Sequence, residues 1–488
     1  MKTLIWASLL LLFVLPTMGQ NTSLTIYNQN FALIREPLQL ALTDGVTRVD
    51  FAGVTAHLEP DSVVLRDPLG TRTLQVLEQN YRADPITQEA LLSLYEGKTI
   101  EFQVDPSHTV KGRIIRSGYI PPLTRYGQYQ PASYQQPLIE VDGQLRFGLP
   151  GLPLFPSLTG DTILKPTLTW QLRTDKPGKA DAELSYVSGG MSWEADYNLI
   201  APEKGDVLDL VGWITIDNHS GHQFEDAHIK LLAGEVNKIQ PNDYRDFQAV
   251  ATKAMAREDS NAAPVTERSF DEYHMYTLAR VTTLHDQETK QVEFLRGTGV
   301  ATKRIYVYDG ANIDWNQYRY WSAENIRGNR DFGTQCNKQV WVMQQFVNSQ
   351  KNGLGMPLPK GKLRFYRRDV DGNLEFTGES MINHTPKDET IRVYTGNAFD
   401  LVGERTRTNY SIDTRNDWID ESFEIRLRNH KKEAVTFLVA ERLYRGANWK
   451  ITQESHPHKK TEAQRMEFQV TVAPDSEQVV TYTVHYTW

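Results

Sequence analysis

The densest group of potential metal ligands in the chain is His219, His222 and His228, interleaved with Asp217, Glu225 and Asp226. Imidazole combined with carboxylate suits zinc or another transition metal. The group straddles a loop between two strand-like runs, where Asn218, Ser220 and Gly221 already account for a turn. The tight His spacing of a built metal motif is missing. The three histidines therefore stand as a candidate metal site beside the plainer reading of a turn, and no cofactor is assigned.

Three other constellations resemble chemistry and fall short of it. Gly190-Met191-Ser192-Trp193-Glu194 mimics a nucleophile elbow, but that motif needs Gly in place of Glu194 and a helix after it. Here the strand-like run WEADYNLI follows. Asp369, Asp371 and Asn373 could open a calcium loop, yet Ser380 stands where the bidentate Glu belongs. Asp413, Asp417, Asp420 and Glu421 could supply the two carboxylates of glycoside hydrolysis, which also requires a cleft and a set separation. A solvated connection between strands explains them more simply.

The aromatic stretch WNQYRYW is the best candidate for binding. Trp315, Tyr318, Tyr320 and Trp321 sit within a few residues of each other, followed by Arg327, Asn329 and Arg330. Aromatic faces stack on sugar rings and other flat groups, and Arg and Asn add hydrogen bonds. The competing reading is that these rings fill a gap between two β domains. Cys336, the only cysteine, lacks a nearby His partner and reads as a buried or harmless thiol.

The elements that must position these residues are mostly strands. The best-specified stretch runs from Pro357 to Glu404. KLRFYRR turns at Asp371-Gly372 into LEFTGESMI, because Asp-Gly supplies the positive φ that a tight hairpin needs. TIRVYTG follows, and Asn397 to Asp400 is expected to turn into LVGER. Upstream, SLTIYNQNFALIRE reads as a hairpin bending at Asn28 to Asn30. Short strands with turn signals continue through TLTWQLRT, AELSYVSG and VLDLVGWITIDN. One helix is expected near residues 85–96. Asp84 would be its N-cap, Pro85 its first residue and Gly97 its stop, with Ile86, Ala90, Leu91, Leu94 and Tyr95 on one face. The closing TYTVHYTW alternates Tyr482, Val484, Tyr486 and Trp488 with polar residues. It reads as the last strand of a sandwich rather than of a membrane barrel, since the strands before it are short and charged.

Composition narrows the class. Lys2 and an apolar run from Leu4 to Leu15, ending near Gly19, read as a secretory signal. The run is too short for a spanning helix and no later stretch is long enough, so no stable membrane span is expected after cleavage. The chain has 53 Lys and Arg against 61 Asp and Glu, a formal net charge of −8. That balance disfavours nucleic acid and anionic membrane as partners. One cysteine cannot staple an exported protein, so its stability must come from packed cores.

Several separated blocks carry a family likeness. FDEYHMYTL, TKQVEFL, GMPLPKGKLRFYRRDVDGNLEFTGE, HTPKDETIRVYTGNAFDLVGER and IRLRNHKKEAVTFLVAERLYRGANWKI resemble the bacterial exported domain-of-unknown-function family related to mucoidy inhibitor A. LKPTLTWQL, ELSYVSGGMSWEADYNLI and DLVGWITIDNHSG add to the likeness. The resemblance implies an exported bacterial protein of mainly β domains and transfers no catalytic or binding residue.

The expectation is thus an all-β exported protein of two or three antiparallel sandwich-like domains, ending in an immunoglobulin-like sandwich. The expected boundaries are a signal over 1–19, β domains over 20–115 and 116–244, and a mobile linker over 245–268. A final domain over 269–488 carries the aromatic insertion 309–335. The expected role is a non-enzymatic periplasmic or extracellular binding or scaffold protein, with an envelope polysaccharide or envelope protein as partner. A hydrolase using carboxylates or a metal is the first alternative, and an outer-membrane component the second.

Overall fold

The computed structural model describes residues 22–488 apart from 84–86, 121–122, 126–127, 131–132, 157–164, 239–264, 315 and 414–416. Strands dominate, in several antiparallel sheets. The chain groups into two compact units, each made of two chain segments: residues 1–193 with 215–291, and residues 194–214 with 292–488. The boundaries expected from composition at 115/116, 244/245 and 268/269 all fall inside the first unit.

The first unit is built on an eight-stranded sheet. Its hairpin Ser23–Tyr27 and Phe31–Leu42 bends where expected, with Asn30 at positive φ. Phe31–Leu42 pairs along its length with Gly178–Gly189. Both strands alternate buried and open positions, as a sheet with one covered face requires. A three-stranded sheet of Val46–Ala52, Thr167–Thr174 and Leu74–Arg82 buries Leu168, Trp170 and Leu172 completely.

A separate five-stranded sheet carries the expected helix, Gln88–Leu94. Thr87 caps it by accepting the Ala90 N–H at 3.1 Å, and Gly97 at positive φ follows its end. Asp84, Pro85 and Ile86 lie outside the described residues. Leu92 and Tyr95 face the small core of Ile100, Phe102, Ile114 and Ile139, while Leu94 is exposed. The apolar face is therefore rotated from the expected one, because so short a helix is oriented by its sheet and not by its own stripe.

Two expectations are corrected. Val265–Arg268, expected in a linker, begins the strand Val265–Phe270, which hairpins at Asp271 into Tyr273–Leu278. Residues 245–264 lie outside the described residues. Asn397 to Asp400 is not a turn, since Thr390–Ile412 is one continuous strand. Gln339 faces Val402 but Trp341 already faces Asn397, so the intervening residues bulge outward and leave Phe399 97% exposed. Turn-forming residues here make a bulge, which bends a strand without reversing it.

The second unit opens with the Asp371-Gly372 hairpin. Gly361–Arg368 pairs with Leu374–Ile382, and Gly372 has a φ of 85°. Its C-terminal part is a two-layer sandwich. One layer contains Thr390–Ile412, Trp418–Asn429, Ser476–Thr487 and Trp449–Glu454. The other contains the end of Glu288–Asp309 with Val435–Arg442, Arg465–Val472 and His458–Glu462. Phe423 and Tyr482 of the first layer stack at 5.2 Å, and Phe468 of the second lies 5.7 Å from Tyr482. The closing strand buries Tyr482, Val484 and Tyr486 between two neighbours, the position expected of a sandwich strand.

One titratable group in the first unit is placed against its chemistry. Glu36 lies in the Phe31–Leu42 strand, 8% exposed, and accepts a hydrogen bond from the Tyr186 hydroxyl at 2.9 Å. Burial pushes its carboxyl up to about 7. The folded state thus holds a proton that the unfolded chain releases near 4.5. This contribution to stability is complete below about 4.5 and is lost as the pH rises through about 7. The lost amount is on the order of 3 kcal/mol by the cost per pKa unit. Glu36→Gln keeps an acceptor for Tyr186 and cannot ionise. Its stability relative to the parent is expected to climb by about that amount between pH 4.5 and pH 8. Urea unfolding at both pH values checks this, and a pH-independent difference contradicts it.

Candidate ligand-binding site

A cleft of about 850 Å3 lies in the second unit. Strand register assembles it. Parallel pairing of Tyr306 with Phe437 brings residues 433–438 beside residues 303–306. Lys303 faces Gln345 across the next ladder, and Gln345 faces Arg392 across the one after. The Glu203–Asp206 turn forms another wall, with Gly205 at a φ of 110° that side chains rarely tolerate. Arg367 sits at the end of a strand pairing in parallel with residues 195–201. Its Nη1 donates to the carbonyls of Pro202 at 2.9 Å and Glu203 at 3.2 Å, so it also fastens the turn.

Lys303, Arg304, Arg367 and Arg392 all line this cleft. None has a carboxylate at ion-pair distance among the described residues. Arg392 donates to Gln345 Oε1 through Nε at 3.1 Å and Nη2 at 3.0 Å, a neutral acceptor. Burial and the neighbouring Arg304 charge lower the Arg367 pKa from its ordinary value, although a guanidinium stays protonated. Arg304 and Arg367 also line an adjoining recess of about 90 Å3. Other arginines of the same unit are paired: Arg364 with Asp196, Arg428 with Glu404 and Arg442 with Asp309.

The aromatic insertion is arranged differently from a stacking platform. Tyr318 and Trp321 meet edge to face at 4.7 Å, and both lie against Phe332, which is 1% exposed. They pack on the sandwich core. Tyr320 is 88% exposed and Trp315 lies outside the described residues. A second short helix, Ala323–Gly328, follows with Ser322 as its N-cap. The insertion is held by arginines. Arg445 donates to the carbonyls of Ile326, Asn329 and Phe332, and Arg407 to that of Arg330. Both guanidiniums also reach Glu421 Oε1, at 2.9 Å and 3.0 Å, and Glu421 is fully buried.

The remaining sequence candidates do not converge. His219 and His228 are exposed, whereas His222 is half-buried edge-on to Phe224 at 4.9 Å. Burial, then the charge of Lys165, lower the His222 pKa. Among the described residues no group of three His, Cys, Asp or Glu is gathered to hold a metal. Ser192 lies within the strand Met191–Ala201, after the turn at Gly190. Asp371 accepts the Asn373 N–H at 2.9 Å, which is turn geometry. Asp413 accepts the Asp417 N–H at 2.6 Å, and Asp420 pairs with His485 at 2.6 Å. Only Glu421 of that acidic set is in the interior. Cys336 is a free thiol whose Sγ accepts the Arg405 N–H at 3.2 Å. The cleft arginines escaped sequence reading because four strands and a turn assemble them. For Lys303, Arg304 and Arg392 the trace was a strand-like run with no acidic residue at alternate positions, whereas Arg367 has Asp369 there.

The chain matches no protein-family model and no curated protein sequence. Among the described residues no helix is long and apolar enough to cross a membrane.

Removing Arg445 would leave Glu421 buried with only Arg407, and would free three carbonyls of the insertion. Arg445→Met is expected to destabilise the protein by about 3–5 kcal/mol in urea unfolding, the usual cost of breaking a buried pair. It should also quicken tryptic cleavage at Arg327 and Arg330 in the folded protein. Tyr320→Ala, on an exposed ring, is expected to change stability by less than about 0.5 kcal/mol. Equal effects of the two substitutions would contradict this account of how the insertion is held.

Proposed function

We propose that this chain is an exported, non-enzymatic binding protein of a bacterial envelope, periplasmic or extracellular, and that the cleft in its second unit is where it binds. The observation carrying this reading is the cleft itself: a volume in the range of ligand sites, lined by polar side chains, with four cations lacking carboxylate partners. The signal-like N-terminus and the resemblance to the exported mucoidy-inhibitor-related family support the compartment. An envelope polysaccharide fits the polar lining better than an apolar ligand does. The hydrolase reading rested on His219, His222 and His228 or on the 413–421 carboxylates, and neither group lies along the cleft.

Ala434 is exposed on the cleft wall and carries no charge. Ala434→Trp is therefore expected to obstruct the cleft while leaving its charges in place. Purified protein presented to an array of envelope polysaccharides and neutral glycans should bind saturably. The Trp variant should lose at least about ten-fold in affinity, the effect of 1.4 kcal/mol, with an unchanged unfolding midpoint. Full binding by a folded variant would move the site elsewhere, and no binding by the parent would leave scaffolding as the role.

A further inference from the structure

Resting on the recognition reading above, we infer that the ligand of the cleft is an acidic saccharide whose anionic group seats between Arg304 and Arg367. Two guanidiniums repel each other unless a negative charge lies near both. Arg304 has no hydrogen-bond or ion-pair partner among the described residues, and Arg367 meets only backbone carbonyls. Both line the large cleft and the small recess beside it, as does Asp206. Lys303 and Arg392 extend the positive field along the cleft wall. The chain as a whole carries a net charge of −8, whereas the cleft lining holds five Lys and Arg against four Asp and Glu, a local surplus of one positive charge.

The size and the rest of the lining select among anions. A lone small anion would fill the recess of about 90 Å3 and leave the 850 Å3 cleft unused. The lining also offers Glu467, Gln469 and Thr436, and the Gln345 amide stands beside Arg392. Carboxylate, amide and hydroxyl groups accept from and donate to sugar hydroxyls. A carboxylate or sulfate on the ring takes the paired guanidiniums, for which planar forked geometry is well suited. Glu467 and Glu433 also disfavour a uniformly anionic chain lying along the whole cleft. The preferred ligand therefore carries its charge at intervals, with neutral hydroxyl-bearing rings between.

The test uses the purified protein with hyaluronan oligomers, whose uronate rings alternate with neutral ones, as the acidic probe, dextran oligomers as the neutral probe and a polyglutamate peptide as a non-saccharide anion. Affinities are measured by calorimetry at low and at physiological salt. The expected result is saturable binding of the uronate oligomers, weakened by salt. Arg304→Gln and Arg367→Gln should each lower it by about ten-fold or more, the usual loss of a charge-assisted hydrogen bond. Arg364→Gln, at an arginine already paired with Asp196, should leave it unchanged. Because Arg367 also fastens the 202–206 turn, the Arg304 variant is the cleaner reading, with Arg304→Lys expected to recover part of the affinity. Uronate and dextran oligomers binding equally, with Ala434→Trp blocking both, would overturn the acidic-ligand inference while leaving the cleft as a recognition site. Polyglutamate binding as tightly as the uronate would overturn the saccharide part. Loss of no probe on Ala434→Trp would overturn both readings together.

Discussion

The sandwich of the second unit depends on guanidinium groups buried between its layers. Arg405 comes from the strand Thr390–Ile412 and Glu441 from Val435–Arg442, so their pair crosses from one layer to the other. Arg405 Nε reaches both Glu441 oxygens, at 3.0 Å and 2.9 Å, and the Tyr482 hydroxyl donates to the same carboxylate. The guanidinium also lies 3.9 Å over the Phe423 ring. Burial raises the Glu441 pKa, and the Arg405 charge opposes that shift. Such a pair adds little net stability over an apolar core, because both charges lose their water. What it adds is register. A one-residue slip of either strand would turn one partner outward and strand the other.

The second pair extends the same constraint to the aromatic insertion. Arg445, Arg407 and Glu421 form a buried triad, and the arginines also donate to backbone carbonyls of residues 326–332, while Arg445 Nε and Glu421 Oε2 meet no hydrogen-bond partner among the described residues. Those carbonyls belong to a segment with little regular structure, where they would otherwise need water. Tyr318 and Trp321 are drawn onto Phe332 as a consequence. The insertion is thus part of the sandwich core rather than a free recognition loop, and its one prominent exposed ring among the described residues, Tyr320, has no partner ring beside it to complete a stacking surface.

How much of this could be read from residues alone follows from the range of each interaction. The all-β class, the Asp371-Gly372 hairpin, the Asn28 to Asn30 bend and the alternating closing strand are local signals, and each is found as expected. Asn397 to Asp400 carries the same turn chemistry, but pairing of the residues on either side carries the strand through and reduces it to a bulge, so tertiary pairing overrides propensity. The helix was legible in place but not in length or facing, since only Gln88–Leu94 is helical and Leu92 instead of Leu94 meets the sheet. Glu421 reads as one of several exposed acids, and nothing near it in sequence reveals that Arg445 and Arg407 will enclose it. Burial of a charge is decided by its partner, and the partner is distant.

The same residue type has opposite fates in this unit, and the contrast locates function. Arg405 and Arg445 are enclosed with carboxylates, aromatic faces and carbonyls, so every favourable contact they make is internal and permanent. Among the described residues Arg304 and Lys303 are given none of these, although Glu467 and Asp206 line the same cleft. A fold able to neutralise a buried guanidinium twice within one core has the means to pair an exposed one. Arg304 beside Arg367 keeps a repulsion that the nearby Asp206 partly offsets at Arg367 and that an anion from outside would relieve further. The arrangement therefore makes sense as a binding field rather than as a structural tie. It also explains why a negatively charged chain can attract a negatively charged ligand, because at physiological ionic strength fields fade over roughly 8 Å and the local surplus, not the net charge, governs what enters the cleft.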